Sequence, residues 1–375
     1  MISFFQTKWV SATMPKSSAT RARDLNIPFP GKPGRFNAIT DVPGVQVGYS
    51  TLIEDLPADD KGAVAVRTGV TAILPDAHDK LLLRTWAGFS SFNGNGEMTG
   101  AHWINEAGFF QGPILITNTH SVGMAHHACL QWLTRRPEYE ETSDLWLLPV
   151  VAETCDADLN DINGFHVKAE HVFEAIESAA GGPVGEGNVG GGTGMRCYEF
   201  KGGSGTASRL VSIADQDYHV GAFVQSNFGL RRDLRIAGRP LGQLYPEKGK
   251  LKKDSGSLIV VIATDAPLLP DQLQRIARRC ALGMARTGTS GYDSSGDLFI
   301  AFSTARPRAG NSGGAEQCAN FLPAESMDLL FEASVQGTEE AIVNAMVAAE
   351  DMVGHRGHSQ SAIDHDWLSN LFAAD

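Results

Sequence analysis

Residues 254–264 read DSGSLIVVIAT, and residues 294–303 read SSGDLFIAFS. Each is a short unbroken apolar run entered through Ser, Gly and Asp. A run of this kind suits a strand buried on both faces, because neither face then has polar positions. Between the two runs lies a helical pattern. Pro270 and Asp271 open it, and Leu273, Ile276, Ala277, Cys280 and Met284 recur at helical spacing. Taken alone, residues 292–297 read as a turn, and strand, helix, strand is also compatible with parallel neighbours joined by a crossover. Parallel neighbours start at the same end of a sheet. Ser257 would then enter its strand beside Ser295 and Asp297.

The stretch ahead of the first run, LGQLYPEKGKLKKDSG (241–256), is polar and without periodicity, and it reads as an exposed linker. Gly256–Ser257 therefore sits where a linker meets a buried strand. A serine there also fits an ordinary turn or cap residue. The alternative reading is chemical. A serine hydroxyl can attack its own preceding carbonyl, and glycine obstructs that attack little. The products are a cut chain and a serine with a free α-amine. That amine, with a reference pKa of about 7.7–8.0, can serve as base for its own hydroxyl, so no histidine is needed. The 11 histidines form no triad pattern, and no G-x-S-x-G elbow is present. His126–His127 and His355/His358 are more simply solvated or core residues than metal ligands.

Further out, short apolar runs bounded by turn residues read as buried strands: GVTAILP from Gly69, GPILITNT from Gly112 and LWLLPVVAET from Leu145. Ser121 suits the cap of a helix whose apolar face runs through Met124, Ala125, Ala128, Cys129, Trp132 and Leu133. His171 to Ala179 reads as a second helix and Glu339 to Met352 as a long one. Residues 181–209 are too glycine-rich for regular structure alone. They match neither G-x-x-x-x-G-K-[ST] nor a strand–G-x-G-x-x-G–helix context, so close backbone packing is the better account than a nucleotide loop. Residues 1–33 read as a polar tail and residues 34–375 as a single domain. With 42% hydrophobic residues the chain can bury a sizeable core.

Composition removes other function classes. The net charge is −12 with no clustered basic face, which argues against nucleic acid. No apolar stretch approaches membrane-spanning length, and Lys8 and Trp9 interrupt the place where a signal peptide's apolar region would run. The expected setting is cytoplasmic. Cys129, Cys155, Cys197, Cys280 and Cys318 are odd in number, widely spaced and form no C-x-x-C pair. Neither a disulfide framework nor a zinc site is expected. Four of them, all but Cys155, read as small buried residues.

An ordered set of segments resembles the L-aminopeptidase/D-esterase family, which includes the β-peptidyl aminopeptidases. The segments are NAITDVPGVQVGY (37–49), TGVTAILP (68–75), ITNTHSVG (116–123), VVAETCDADLNDING (150–164), GNVGGGTGMRCYEFKGGSGTASR (187–209), FVQSNFG (223–229), GSLIVVIATDAPL (256–268), SSGDLFIAFSTA (294–305) and GTEEAIVNAMVAAEDMVG (337–354). The resemblance implies a mixed α/β class, as a four-layer αββα sandwich like that of N-terminal-nucleophile hydrolases with different connectivity. It implies self-cleavage at Gly256–Ser257 into an α chain of 256 residues and a β chain of 119. It implies a homotetramer, and no cofactor or metal is expected. Ser257 becomes the nucleophile and its amine the base. Ser295 is the residue that bonds Ser257, and Asp297 the carboxylate that orients the pair. Asn227 becomes the oxyanion donor, although alone it reads as a turn residue before Gly229. Glu153 becomes the acid that binds a substrate's free amino group.

Two positions depart from the pattern. Position 155, often Tyr in relatives, is Cys155, which is kept as a pocket-wall candidate for substrate binding. Ser204 stands where a bulkier apolar residue is common. The activity implied is an aminopeptidase acting on short peptides, amino-acid amides or esters through an acyl-enzyme. Two alternatives remain. One is an acyltransferase laid out like the ornithine acetyltransferases, which use a threonine nucleophile in a different local sequence. The other is a non-catalytic member of the fold.

Overall fold

The run 258–264 alternates between two cores. Leu258, Val260 and Ile262 pack into one cluster, and Ile259, Val261 and Ala263 into another. Every residue of the strand is buried. Each such aliphatic side chain stabilises the fold by about 1.5–3 kcal/mol through burial. A strand covered on both faces has to lie in the middle of a layered stack, and the rest of the chain supplies the layers.

The computed structural model describes residues 19–140, 146–251, 253, 256–306, 308–309 and 317–373. In chain order its principal strands are β1 (Gln46–Asp59), β2 (Gly62–Leu74), β3 (Thr85–Gly94), β4 (Phe109–Phe110), β5 (Ile114–Asn118), β6 (Val150–Thr154), β7 (Arg196–Cys197), β8 (Phe200–Lys201), β9 (Gly203–Ile213), β10 (Gln216–Asn227), β11 (Ser257–Thr264) and β12 (Gly296–Ser303). The principal helices are α1 (Val122–Leu133), α2 (Ala169–Glu177), α3 (Pro270–Arg286) and α4 (Met327–Val347).

One sheet has the order β1-β2-β5-β6 and the other β4-β3-β12-β11-β10-β9. The parallel pair that the sequence left open is present: β11 and β12 run side by side, with Ser257 opposite Gly296 and Leu258 opposite Asp297. Helix α3 is their crossover. A second parallel pair, β5 and β6, is crossed by α1. Three apolar clusters fill three interlayer spaces. Ile73, Ile114, Ile116 and Ala152 meet Phe223, Ile259, Ile300 and Phe302 between the sheets. Val70, Leu115 and Val151 meet residues of α1 and α2. Leu258, Val260 and Phe299 meet residues of α3 and α4. The architecture is helices, sheet, sheet, helices, as the resemblance implied. Buried Gln225 of β10 ties the two sheets by donating to the Thr117 carbonyl (3.0 Å) and the Thr154 hydroxyl (2.8 Å).

Several expectations are corrected. Residues 1–18 lie outside the described residues, but the remainder of the expected polar tail packs down: Ala22, Leu25, Ile27 and Phe29 are buried in the helix-side core. This segment covers α4. The Ala22 amide donates to the Asn344 side chain (3.0 Å), and Arg23 pairs with buried Glu340 (2.7 Å). Helix α4 begins at Met327, twelve residues before Glu339, and ends at Val347. Gly337 and Thr338 interrupt the sequence pattern, but the helix is enclosed on nearly every side and so has no polar stripe to read. Ser121 closes a short 3-10 turn and its side chain makes no cap bond; α1 follows directly, with Met124 exposed. Cys318 is exposed, while Cys129, Cys197 and Cys280 are buried. The predicted strand from Leu145 starts at Val150, with Trp146 exposed.

Part of the 181–209 stretch is regular: β7 and β8 form a hairpin, and β9 starts at Gly203. The glycines there do approach backbone closely. A Cβ on Gly192 would lie 2.3 Å from the Ser204 nitrogen, and one on Gly203 would lie 2.1 Å from the Gly187 carbonyl oxygen. Ser204 is fully buried and donates to the Val189 carbonyl (3.0 Å).

Lys201 is also fully buried, with its ammonium on the Gly202 carbonyl (2.8 Å). Burial drives its pKa down from 10.5 to about 7. The unfolded chain therefore binds an extra proton between about pH 7 and 10.5. Stability must rise with pH across that window and carry the full penalty below it. Lys201→Met is expected to remove this rise, worth on the order of a few kcal/mol, in denaturant titrations at pH 7 and 9.5. An unchanged slope would mean that Lys201 does not titrate there.

Candidate active site

Four strand ends of one sheet and two of the other converge at one edge. Ser257 opens β11 and is 5% exposed. Its antiparallel register partner is Asn227, the last residue of β10. Direct partners project to the same face, with Cβ atoms about 4.5–5.5 Å apart. That face is the inter-sheet one, because Ile259 and Phe223 on it lie in the inter-sheet core. On its other side Ser257 pairs with Gly296, whose N–H donates to the Gly256 carbonyl oxygen (3.3 Å).

Ser295 and Asp297 flank Gly296. The Ser295 hydroxyl donates to Asp297 Oδ1 (2.7 Å), and both residues are buried. Asp297 lies across from Leu258, so its strand position belongs to the helix-side face and not to the face shared by Ser257 and Asn227. The pair thus meets Ser257 from the neighbouring strand. Asn93, near the end of β3, completes this group. Its amide donates to Asp297 Oδ2 (2.9 Å) and to the Tyr292 carbonyl (3.1 Å). One Asp297 oxygen is thereby held by Asn93 while the other receives Ser295.

The Asn227 amide is fixed at both ends. Its Oδ1 accepts the Arg196 N–H (3.0 Å) and its Nδ2 donates to the Cys155 carbonyl (2.9 Å). The orientation is therefore set by main-chain groups, with the NH2 toward residue 155. An amide nitrogen carries a second hydrogen, which is the donor an oxyanion would use.

Glu153 arrives from the other sheet, in β6 beside Thr117 of β5. It is 3% exposed. Oε1 accepts the Glu97 N–H (3.0 Å), and Oε2 accepts the Thr119 hydroxyl. Burial raises its pKa above the ordinary 4.5; the two hydrogen bonds and His120 oppose the rise, and the Glu97 carboxylate adds to it. Gly96 shows how near this carboxylate lies to the serine strand. A Cβ on Gly96 would sit 3.2 Å from Glu153 Oε1 and 3.2 Å from the Gly296 Cα. Beyond Glu153 the wall holds the exposed Cys155 side chain and His120, which stacks on Phe165 at 6.0 Å.

All six residues named from the sequence therefore gather at this edge. Asn93, Gly96, Thr119 and Arg196 were missed. Thr119 and Arg196 lie inside the quoted segments 116–123 and 187–209, but neither type signals chemistry by itself. The four histidines weighed as metal ligands fall elsewhere: His126 and His127 are on α1, and His355 and His358 follow α4. No group of three or more potential metal ligands occurs among the described residues.

Comparison with known proteins gives a consistent picture. The sequence profile of Peptidase family S58 matches residues 37–360. The β-peptidyl aminopeptidase BapA of Sphingosinicella microcystinivorans is 49% identical over 362 residues, covering 92% of this chain and 90% of the relative. BapA of Sphingosinicella xenopeptidilytica is 46% identical over 369 residues, covering 94% and 91%. Among solved structures, the L-aminopeptidase D-Ala-esterase/amidase of Ochrobactrum anthropi, described as a prototype of the serine aminopeptidases and a variant of the Ntn-hydrolase fold, superposes with a TM-score of 0.86 at 48% identity, covering 94% of this chain and 99% of that one. A Burkholderia β-aminopeptidase superposes with a TM-score of 0.84 at 44% identity, covering 95% and 99%.

Proposed function

Because the chain belongs to peptidase family S58 and is a serine-type aminopeptidase, we propose that its nucleophile is Ser257, released as a new N-terminus by cleavage of Gly256–Ser257. The observation that carries this reading is the meeting of Ser257, Asn227, the Ser295–Asp297 pair and Glu153 at one edge of two sheets.

In self-cleavage the Ser257 hydroxyl oxygen attacks the Gly256 carbonyl carbon. The C–N bond breaks, the nitrogen takes up a proton, and an ester links Gly256 to the Ser257 oxygen. Water hydrolyses the ester. The products are a Gly256 carboxylate and a Ser257 bearing both a hydroxyl and a free amine. Position 256 supports this chemistry. A Cβ there would lie 2.0 Å from the Asn227 carbonyl oxygen, so only glycine fits without displacing β10.

In peptide hydrolysis the same oxygen attacks the substrate's first carbonyl while the amine of Ser257 takes its proton. Negative charge develops on the carbonyl oxygen, and an Asn227 N–H stabilises it. The amine returns its proton to the leaving group, and water then releases the acyl group. Ser295 and Asp297 hold the amine and hydroxyl in register.

Glu153 selects the substrate. A carboxylate held by an N–H and a hydroxyl in a buried setting needs a cation to complete it, and a substrate's terminal ammonium is that cation. Substrates are thus short peptides, amino-acid amides or esters with an unblocked amino group. Cys155, smaller than tyrosine, leaves a roomier wall there. The assembly we propose is a homotetramer of two-chain units. Leu282 and Leu329, exposed on the outer helices, supply apolar surface for it.

The selection is testable. Glu153→Gln is expected to lower kcat/KM for free aminoacyl p-nitroanilides roughly 100-fold. Slow turnover of the N-acetylated counterparts should stay as it was. The wild type should also lose affinity for free-amine substrates as pH falls through the raised Glu153 pKa, since protonation removes the anion. That limb should vanish in Glu153→Gln. A variant that still prefers free amines would remove Glu153 from this role.

A further inference from the structure

Strands β7 and β8 are joined by a two-residue turn, Tyr198–Glu199, with both φ angles positive (52° and 60°). Such a turn is normally built by Asn-Gly or Gly-Gly, because other side chains resist the left-handed region. Two bulky residues stay in that conformation only where the surroundings hold them. Tyr198 is held by its hydroxyl, which bonds the Thr287 hydroxyl (2.7 Å) and accepts the Thr289 N–H (3.1 Å).

Glu199 is held by backbone. The residue is nearly buried, at 9% exposure. Oε1 accepts the Arg231 N–H (3.1 Å), and Oε2 accepts the N–H groups of Lys250 (2.5 Å) and Leu251 (3.0 Å). Gly249 is pressed against the same carboxylate, for a Cβ there would lie 2.3 Å from Oε1. The Arg231 guanidinium closes the arrangement. It lies over the Phe200 ring at 3.4 Å and donates to the Tyr198 carbonyl (3.0 Å) and the Glu247 carbonyl (3.5 Å).

What Glu199 grips is the segment leading into Gly256–Ser257. From Leu251 to the scissile carbonyl there are five residues, a reach of at most about 17 Å. The far end of that span is held as well, by the Gly296 N–H on the Gly256 carbonyl oxygen. We infer that Glu199 is a positioning residue for self-cleavage: it tethers residues 249–251 so that the scissile bond is presented to the Ser257 hydroxyl. Restricting a short span at both ends raises the share of chains in an attacking geometry, and a displacement of about 1 Å can cost about 100-fold in rate. This inference rests on the cleavage reading given above. It assigns Glu199 no contact with substrate, so the cut enzyme should not need it for turnover.

The test follows newly made full-length chain in a cell-free translation, with timed samples on a denaturing gel. Glu199→Gln keeps the size of the side chain but turns an amide toward backbone donors. It is expected to lengthen the half-time of two-chain formation at least about tenfold. Once cut, the variant should hydrolyse aminoacyl p-nitroanilides with kcat and KM within about twofold of wild type, because no transition-state contact is lost. Gly249→Ala crowds the same carboxylate from the segment's side and should delay cutting likewise. Folding is checked by thermal unfolding of both variants in a Ser257→Ala background, where all chains stay whole. Cutting at the wild-type rate in both variants overturns the inference. So does a delay accompanied by an equal loss of kcat in the cut enzyme, since that marks general distortion. A wild-type chain that never yields two bands overturns the cleavage reading itself, which separates that failure from failure of the tether.

Discussion

Ser257→Ala is expected to leave one uncut chain of 375 residues where the wild type shows fragments of 256 and 119, and to abolish hydrolysis. Both effects have one cause. In the proposed mechanism the hydroxyl is the attacking group in cleavage and in turnover, and without cleavage no amine exists to act as base. Loss of a nucleophile in a hydrolase costs about 10⁴–10⁶-fold in kcat, since only binding and oxyanion stabilisation remain. Alanine removes one buried oxygen and creates almost no cavity, so the fold should survive. A denaturing gel and an anilide assay read both effects. Two fragments from Ser257→Ala would show that another residue cuts the chain.

The second large effect is expected at Asn227. Asn227→Ala removes the side-chain N–H beside Ser257 and should lower kcat about 10²–10³-fold with little change in KM, because the donor meets charge only in the transition state. The same change leaves the Arg196 N–H and the Cys155 carbonyl without their bonds to residue 227. Asn227→Asp separates these effects. It can still accept from Arg196 but offers no N–H, so it should be at least as slow as alanine. Pre-steady-state assays on cut enzyme would place the loss in acylation. An unchanged kcat in both variants would take Asn227 out of the oxyanion site.

The sequence carried the Ser257–Asp297 neighbourhood because it depends on local rules. Two apolar runs and one helical pattern are compatible with a parallel pair, and a parallel pair aligns its entries. Asn227 and Glu153 were legible only through the ordered family segments. Asn227 meets Ser257 across an antiparallel pair whose connection is an aperiodic linker. Glu153 comes from the other sheet altogether. Asn93 and Glu199 stayed hidden for the same reason: each works by hydrogen bonds to residues more than 30 positions away. The start of α4 was missed because an enclosed helix loses the polar stripe that marks a boundary. The packing of residues 20–33 was missed because four apolar side chains at irregular spacing look like a polar tail until the helix beneath them is known.

The cut proposed at Gly256–Ser257 would fall inside a sheet and not between domains. In the six-stranded sheet β11 and β12 belong to the downstream fragment, and they lie between β10 and β3 of the upstream one. One folded chain would thereby become two interleaved fragments. Before the cut, unfolding is unimolecular and the chain holds all it needs to fold again. Afterwards the two pieces must find each other, and recovery depends on their concentration. A cut placed there would thus also act as a ratchet. The single chain would reach the fold, and the cut enzyme would keep it only as long as its fragments stay together.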